Sequence, residues 1–258
     1  MMASMRWILL LLLLSLVAAC QAAPTSMDWR YTVGSNADGI WHTKASFYRE
    51  GKPVHGSSNG AAVALSERSL KEQDYRWDIG AGRSGVDQPV PDKVVIEWVS
   101  YHDKKRYGIT LDLPKDMAAQ MARRYRVQVG GKWQEEQRNN IALGLASGGY
   151  VEVFLRNPKV KPDILLARGL ATEVTDDTYD KRVPLNKQYA IDEFWAKFGQ
   201  AYQQYPTPSG MAWAPIMDAY RAAQPKRIPI RSIDLDSGLR GINEAVPKLA
   251  SPVSELSS

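Results

Sequence analysis

The sequence predicts an α+β fold, with a mostly antiparallel β-sheet built from hairpins and two or three helices, the longest near the C-terminus. Residues 93–113 contain two alternating apolar runs around a polar turn, which is the pattern of a β-hairpin. Residues 190–205 carry apolar side chains at helical spacing and are followed at once by prolines, which indicates an amphipathic helix and its end.

The chain begins with the features of an export signal. Arg6 precedes an apolar run from Trp7 to Val17, and small residues follow the run up to Cys20. The run is shorter than the roughly twenty residues that a helix needs to cross a bilayer. Cys20 is the only cysteine in the sequence, which excludes an internal disulfide.

The string Leu16-Val17-Ala18-Ala19-Cys20 resembles the lipobox of bacterial lipoproteins. This resemblance implies cleavage before Cys20, lipid attachment such as palmitate at its thiol, and sorting to the outer membrane because Gln21 is not aspartate. An ordinary cleavage site beside a cysteine remains the alternative. The expected organisation is a signal peptide over 1–19, an acylated tether over 20–27, a single globular domain over 28–245 and a flexible tail over 246–258.

The first half of the mature chain predicts strands, because apolar and polar side chains alternate with a period of two. The predicted strands are 41–48, 75–79, 93–101 and 107–113. The break at Glu50-Gly51-Lys52-Pro53 follows the first strand, and the polar turn 102–105 separates the last two. A helix is then predicted from Pro114 to Tyr125, where Met117, Met121 and Tyr125 recur at a spacing of four.

The second half predicts another hairpin and the longest helix. Ser147-Gly148-Gly149 joins two apolar runs and is a suitable hairpin turn. Pro206 and Pro208 end the long helix. The remaining predicted elements are strands over 141–145, 150–156 and 163–174, a short helix over 215–223 and an edge strand over 228–235.

Patterns for catalysis or metal binding are weak. His42, His55 and His102 lack the close spacing of a zinc site. Gly56-Ser57-Ser58-Asn59-Gly60 matches G-x-S-x-G, but no buried strand precedes it and no parallel βα pattern surrounds it. We therefore predict no catalytic residue, metal or cofactor, and take the string as a flexible loop. A serine hydrolase that uses Ser58 is a minor alternative.

Basic residues gather in short clusters, and the formal charge of the sequence is +5. An exported lipoprotein does not meet nucleic acid as a normal substrate, so no nucleic-acid partner is expected. A solvated surface is the favoured interpretation of these clusters, and anionic lipid head groups or an acidic protein are the candidate partners. The clusters are Lys104-Lys105-Arg106, Arg123-Arg124 with Arg126, Lys181-Arg182 and Lys226-Arg227.

Two further strings resemble a family of Gram-negative envelope lipoproteins of unknown function. The first is Pro91-Asp92-Lys93-Val94, followed by Glu97-Trp98-Val99-Ser100-Tyr101, Tyr107 and Asp112-Leu113-Pro114. The second is the glycine-rich hairpin 144–155, where Ser147 replaces the proline usual in the family. The resemblance covers about residues 28–175.

This resemblance implies a function in binding and no enzymatic activity. Some family members look like periplasmic immunity proteins that neutralise lipase or phospholipase toxins delivered by type VI secretion. The expectation is thus an outer-membrane lipoprotein that faces the periplasm and binds such a toxin, with a structural or assembly lipoprotein as the alternative. Hairpin tips are the expected anchors for the partner. The candidate residues are Tyr101, His102, Lys105, Arg106, Ser147 and Tyr150.

Overall fold

Two five-stranded sheets share one apolar core in the computed structural model, which describes residues 24–63, 65–175, 185–188 and 190–227. The strands are β1 (Ser26–Asn36), β2 (Gly39–Arg49), β3 (Lys52–Val63), β4 (Asp78–Pro89), β5 (Lys93–Ser100), β6 (Lys105–Asp112), β7 (Arg124–Val129), β8 (Lys132–Gln137), β9 (Asn140–Ala146), β10 (Tyr150–Asn157), β11 (Val160–Leu170) and β12 (Thr172–Glu173).

The first sheet has the order β11-β10-β9-β1-β4 and the second the order β12-β6-β5-β2-β3. Strands β7 and β8 form a separate two-stranded hairpin. Within the described ranges the ladders are antiparallel, except that β1 pairs with β9 in parallel. The predicted α+β class with antiparallel hairpins is therefore confirmed.

The helices include the predicted long one, α4, near the C-terminus. Its capping residue Ala190 lies just before it, and Pro206 and Pro208 follow it, as expected. The predicted short helix is also present as α5, while α1 and α3 are additions to the predicted set. The bounds are α1 (Glu67–Glu72), α2 (Met117–Ala122), α3 (Leu185–Gln188), α4 (Ile191–Gln204) and α5 (Trp213–Ala222), with a 3₁₀ turn at Gly210–Ala212.

The core lies between the sheets because alternate side chains of each strand point to the same face. Trp29, Tyr31 and Val33 of β1 point inwards from the first sheet, and Ile96 and Trp98 of β5 point inwards from the second. All five are buried. The edges of the aromatic rings fill the space between the sheets, and the Trp29 and Phe47 centroids lie 5.2 Å apart in an edge-on arrangement.

The outer face of the first sheet is also covered, and so β9 and β10 are buried on both faces. Trp77 packs on this face directly over Gly144, where a β-carbon would lie 2.5 Å from the indole ring. Helix α5 lies beside it, with Trp213 and Met217 buried against Phe154 and Ala142. Gly144 thus leaves the space that the indole ring occupies.

Glu152 carries a charge network under α5, although it sits in the middle of an apolar strand. Its carboxylate accepts hydrogen bonds from Trp77 Nε1 at 3.1 Å and from the Tyr150 hydroxyl at 2.6 Å. Arg168 Nη2 lies 3.0 Å away and Arg221 Nη2 lies 2.9 Å away, so two guanidinium groups neutralise the buried charge.

The network extends to the surface through Asp218 of α5. Arg168 and Arg221 both donate hydrogen bonds to Asp218. The hydrogen bond from Arg168, with that from Arg221, lowers the pKa of Asp218 to about 2. The two arginines thus join α5 to the neighbouring strands β10 and β11.

Two predicted elements differ from the structure. Residues 75–79 were predicted as a strand, but β4 begins only at Asp78, since Trp77 turns across Gly144 instead of joining a ladder. The helix predicted over 114–125 ends at Ala122, and Tyr125 belongs to strand β7. The predicted edge strand 228–235, the signal peptide and the tail lie outside the described residues.

Candidate partner-binding surface

Three turns that are distant in sequence meet at one end of the two sheets, and we call this region the loop end. It consists of the β1–β2 turn (37–38), the β5–β6 turn (101–104) and the β9–β10 turn (147–149). The His102 backbone N–H donates to Asp38 Oδ1 at 2.9 Å, and the Gly148 N–H donates to Asp103 Oδ2 at 2.6 Å. These bonds fix the turns to one another.

Asp38 lies at the centre of the loop end and is buried. Ser100 Oγ donates to its Oδ2 at 2.5 Å, in addition to the bond from His102. Burial disfavours the ionised carboxyl and raises the pKa of Asp38 to about 7, although the Ser100 hydrogen bond acts in the opposite direction. Asp38 is therefore close to its titration range at neutral pH.

His102 and Asp103 form a hydrogen-bonded pair beside Asp38. His102 Nδ1 lies 2.8 Å from Asp103 Oδ1, and the Tyr107 hydroxyl donates to Asp103 Oδ2 at 3.0 Å. Burial alone lowers the pKa of His102, but the Asp103 hydrogen bond and the charge of Asp38 outweigh it, and the pKa is raised. Burial raises the pKa of Asp103, but hydrogen bonds from His102 and Gly148 reverse this effect, and the pKa is lowered.

The His102–Asp103 pair resembles part of a catalytic triad, but the nearby serine is not aligned with it. A nucleophilic serine must donate to the histidine ring that removes its proton. Ser100 is buried, donates to Asp38 and accepts from the Asp103 backbone N–H at 3.1 Å. These contacts stabilise the turn and leave Ser100 without the geometry of a nucleophile.

Helix α4 covers one side of the loop end and supports Tyr101 and His102. Trp195 Nε1 donates to the Tyr101 carbonyl oxygen at 2.7 Å. The Tyr101 ring contacts Phe194, and the His102 ring lies 4.6 Å from that of Tyr202. Both predicted residues are therefore half-buried and fixed in orientation.

Lysines form the exposed part of the same turn. Lys104 Nζ lies 4.9 Å from the centre of the Trp195 ring, and Lys105 Nζ lies 2.9 Å from Glu173 Oε2. Lys105, the first residue of β6, is the exposed member of the predicted set. Tyr101, His102 and Lys105 can therefore present a rigid, basic edge to a partner.

The other three predicted residues lie in the interior, and sequence reasoning placed them wrongly on the surface. Ser147 donates to the Pro208 carbonyl at 2.8 Å, beneath the segment that precedes α5. Tyr150 contacts Glu152 under α5, and Arg106 is only 2% exposed. Their burial leaves them no surface for contact with a partner in this conformation.

The β7–β8 hairpin supplies an exposed surface that sequence reasoning missed. Trp133 is 59% exposed, and the Arg126 guanidinium lies 5.1 Å from the centre of its ring. The register places Trp133 opposite Gln128 and Glu135 opposite Arg126, on the same face as Arg124. We call this set the hairpin face.

The opposite side of the hairpin attaches it to the rest of the molecule. Tyr125 and Val127 pack against Val160, and Arg138 stacks on the Tyr125 ring at 4.4 Å. Lys159 Nζ binds Glu136 at 2.6 Å. The alternation in β7 and β8 thus gives one anchored side and one side that faces solvent. The sequence signal that could have identified the hairpin is the pair Gly130-Gly131, which forms its turn. Both glycines have positive φ angles in the structure.

The remaining candidates from the sequence are the G-x-S-x-G string, the lipid attachment residue Cys20, metal sites and membrane spans. The G-x-S-x-G string lies within strand β3, so the backbone at Ser58 is extended and does not form the strand-to-helix turn of a nucleophile elbow. Cys20 lies outside the described residues. Among the residues described, no cluster of His, Cys, Asp or Glu is arranged to hold a metal ion, and no helix has the length and apolar character of a membrane span.

Comparison with known proteins gives one match. A family model described as a protein of unknown function (DUF2931) matches residues 15–210. The match spans the loop end, the hairpin face and both sheets. No curated protein and no solved structure matches the chain.

Proposed function

We propose that this chain, which belongs to the family of proteins of unknown function DUF2931, acts by binding another protein and not as an enzyme. The observation that carries the proposal is the hairpin face, where Trp133 and Arg126 stand exposed on a hairpin outside both sheets. Tryptophan and arginine dominate the binding energy of protein interfaces. Because Trp133 is 59% exposed, most of its side chain adds no buried apolar area to the folded protein.

The loop end supports the same proposal with a second contact region. Tyr101 and His102 lie on a turn that Asp38, Gly148 and Trp195 hold in place, and Lys105 follows this turn directly. A rigid turn loses little conformational entropy when it binds. Its lysines favour a partner with an acidic surface.

The specific function that we propose is immunity against a secreted lipase or phospholipase toxin delivered by type VI secretion. The sequence resemblance to envelope immunity lipoproteins supports this choice of partner. Acylation at Cys20 would hold the protein at the outer membrane, facing the periplasm where such a toxin acts. Incorporation of labelled palmitate, and its loss in Cys20→Ser, tests the anchor separately from binding.

The test of binding is a search for a secreted lipase encoded beside the gene, followed by co-purification with that lipase and a measurement of its inhibition. We expect the wild-type protein to bind and inhibit the lipase. Trp133→Ala and Arg126→Ala should each weaken binding roughly tenfold or more, as hot-spot substitutions do. Trp41→Ala is the matched control, because Trp41 is also exposed, at 40%, but lies on the second sheet.

Two results would overturn the immunity function. One is the absence of binding to any adjacent lipase, combined with unchanged resistance of cells that lack the protein. The other is full lipase activity in the purified complex.

A structural or assembly role in the envelope is the second candidate. The observation that favours it is the number of basic residues around Trp133, with Arg123, Arg124 and Lys132 exposed beside Arg126. Tryptophan and basic side chains together suit the surface of an anionic membrane. Loss of membrane integrity on deletion, in cells without any toxin, would favour this role.

A further inference from the structure

A row of polar side chains crosses the outer face of the first sheet beyond the cover of α5. Arg30 of β1, Asn140 of β9 and Arg156 of β10 are direct neighbours in the strand register. We propose that this row binds the phosphate group of a small phosphate ester that also carries a hydroxyl group. The site is separate from the hairpin face and does not depend on the proposed function.

The register fixes the geometry of the row. Adjacent strands lie about 4.8 Å apart, so the two arginine backbones flank Asn140 at a separation of roughly 10 Å. In-register neighbours project from the same face of a sheet. Two guanidinium groups on either side of an amide can therefore converge on a single anion.

The neighbouring rows explain why this row is open. Gly34, Gly144 and Glu152 form one row, and Trp77 packs over Gly144 at its centre. The next row contains Ala142 and Phe154, which are buried beside α5. The Arg30–Asn140–Arg156 row comes next and faces a pocket of about 370 Å³.

The donors of the row are not fully used within the described part of the protein. Arg156 Nε is buried and has no hydrogen-bond partner there. Asn140 is also buried, and its Oδ1 accepts from Thr32 Oγ1 at 3.2 Å, which leaves the NH₂ end of the amide as a donor. A buried guanidinium donor without a partner is costly, and an anion in the pocket would satisfy it.

The lining of the pocket indicates the class of ligand. Arginine binds phosphate oxygens through paired N–H donors, and this preference favours a phosphate over a carboxylate with fewer oxygens. Asp78 lines the same pocket beside Trp77, and its carboxylate can accept a hydrogen bond from a ligand hydroxyl. The volume is at the lower end of the range for small-molecule sites, which suits a glycerol phosphate group.

The test is calorimetric titration of the purified full chain with sn-glycerol 3-phosphate, inorganic phosphate and glycerol. We expect both phosphates to bind and glycerol to give no signal. Arg156→Gln and Arg30→Gln should each weaken binding roughly tenfold. Arg83→Gln is the matched control, because Arg83 is exposed on strand β4 of the same sheet and does not line the pocket.

Asn140→Asp provides an independent variant if an arginine substitution impairs folding, which thermal unfolding without ligand would reveal. It keeps the acceptor for Thr32 but replaces the NH₂ donor with a negative charge, and should abolish phosphate binding. The proposal would be overturned if the wild-type chain bound neither sn-glycerol 3-phosphate nor inorganic phosphate. Equal binding by the wild-type chain and all three pocket variants would also overturn it.

A vesicle arm distinguishes a lipid head group from a free ester. Flotation with phosphatidylglycerol vesicles is compared with flotation with phosphatidylcholine vesicles. Binding to phosphatidylglycerol that is lost in Arg156→Gln and competed by glycerol phosphate identifies the head group as the ligand. Binding of the soluble ester without vesicle binding identifies a free ester and equally supports the site. Vesicle binding that persists in all pocket variants and resists competition counts against the row as a lipid site.

Discussion

Asp38 at the loop end and Glu152 under α5 are both buried carboxyl groups that join segments distant in sequence, but their partners differ. Asp38 accepts hydrogen bonds from a serine hydroxyl and a backbone N–H, which are neutral donors. Glu152 accepts from Arg168 and Arg221 as well as from two neutral donors. The same kind of group is therefore stabilised by two different kinds of surroundings.

This difference in surroundings predicts how each region responds to pH. A carboxyl buried among neutral donors has a raised pKa, about 7 for Asp38, so its charge changes near neutral pH. A carboxylate between two arginines is held in place by charges that persist over the whole physiological range. The loop end should therefore respond to pH near neutrality, whereas Asp218, through which the network under α5 reaches the surface, has a pKa of about 2.

Removal of the Glu152 charge should have the largest effect. Glu152→Gln leaves Arg168 and Arg221 facing a neutral amide in the interior, and an uncompensated buried charge costs about 3–5 kcal/mol. The free energy of unfolding in urea should fall by this amount. Asp218→Asn is the control, since the Asp218 side chain is 53% exposed and its ion pairs contribute about 1 kcal/mol or less. Equal losses of unfolding free energy in Glu152→Gln and Asp218→Asn would contradict the larger contribution expected from the buried carboxylate.

Asp103→Asn should have the next largest effect, because Asp103 accepts from His102, Tyr107 and Gly148. We expect a loss of about 1–3 kcal/mol in the free energy of unfolding. The pKa of His102, followed by NMR titration of the imidazole, should fall at the same time. His55 serves as an internal control, since its pKa is lowered by burial and by the charge of Arg83. An unchanged pKa of His102 would show that Asp103 does not stabilise its charged form.

The pH dependence of stability should separate the two regions. Between its ordinary value of 3.8 and about 7, Asp38 keeps a proton in the folded protein that the unfolded chain releases. The free energy of unfolding should therefore fall as pH rises through this range, by at most about 1.4 kcal/mol per pH unit for this group. The raised pKa of His102 continues the decrease above its ordinary value of 6.5.

Denaturant curves at a series of pH values measure this slope. Asp38→Asn should flatten it between pH 4 and 7, because the titrating group is gone. Asp218→Asn should leave it unchanged, because the pKa of Asp218 is about 2 and lies below the range. A slope that survives in Asp38→Asn would assign the pH response to another group.

Trp133→Ala should have the smallest effect on stability, since Trp133 belongs to neither buried network. Exposed side chains away from such features contribute within about 0.5 kcal/mol. Thermal unfolding should therefore be nearly unchanged, even where partner binding is lost. A large loss of stability would mean that the hairpin face is structural, and the binding assay would then need Arg126→Ala alone.

The sequence predicted elements whose patterns are local. The β5–β6 hairpin follows directly from alternation around a polar turn, and α4 follows from a stripe with a helical period. The error at Tyr125 has a simple cause. Met117, Met121 and Tyr125 recur every four residues, and a spacing of four also keeps side chains on one face of a strand. The pattern could not show that the helix ends at Ala122.

The candidate site was predicted less well, because exposure depends on what packs over a turn. Ser147 lies at a hairpin tip, as predicted, but the chain near Pro208, more than fifty residues later, covers it. Glu152 and its two arginines come from β10, β11 and α5, and no local signal connects them. Lys105 is exposed, and its contact with a partner stays a prediction. Trp133 was missed because no element was predicted over the residues of β8.

The parallel pairing of β1 with β9 has a consequence for the order of folding. β1 lies between β4 and β9, and its register joins Tyr31 to Ile141, which are 110 residues apart. Until β9 has left the ribosome, one edge of β1 has no strand to pair with. Such non-local pairing slows folding to the millisecond-to-second range. The first sheet can therefore close only after more than half of the chain has been synthesised.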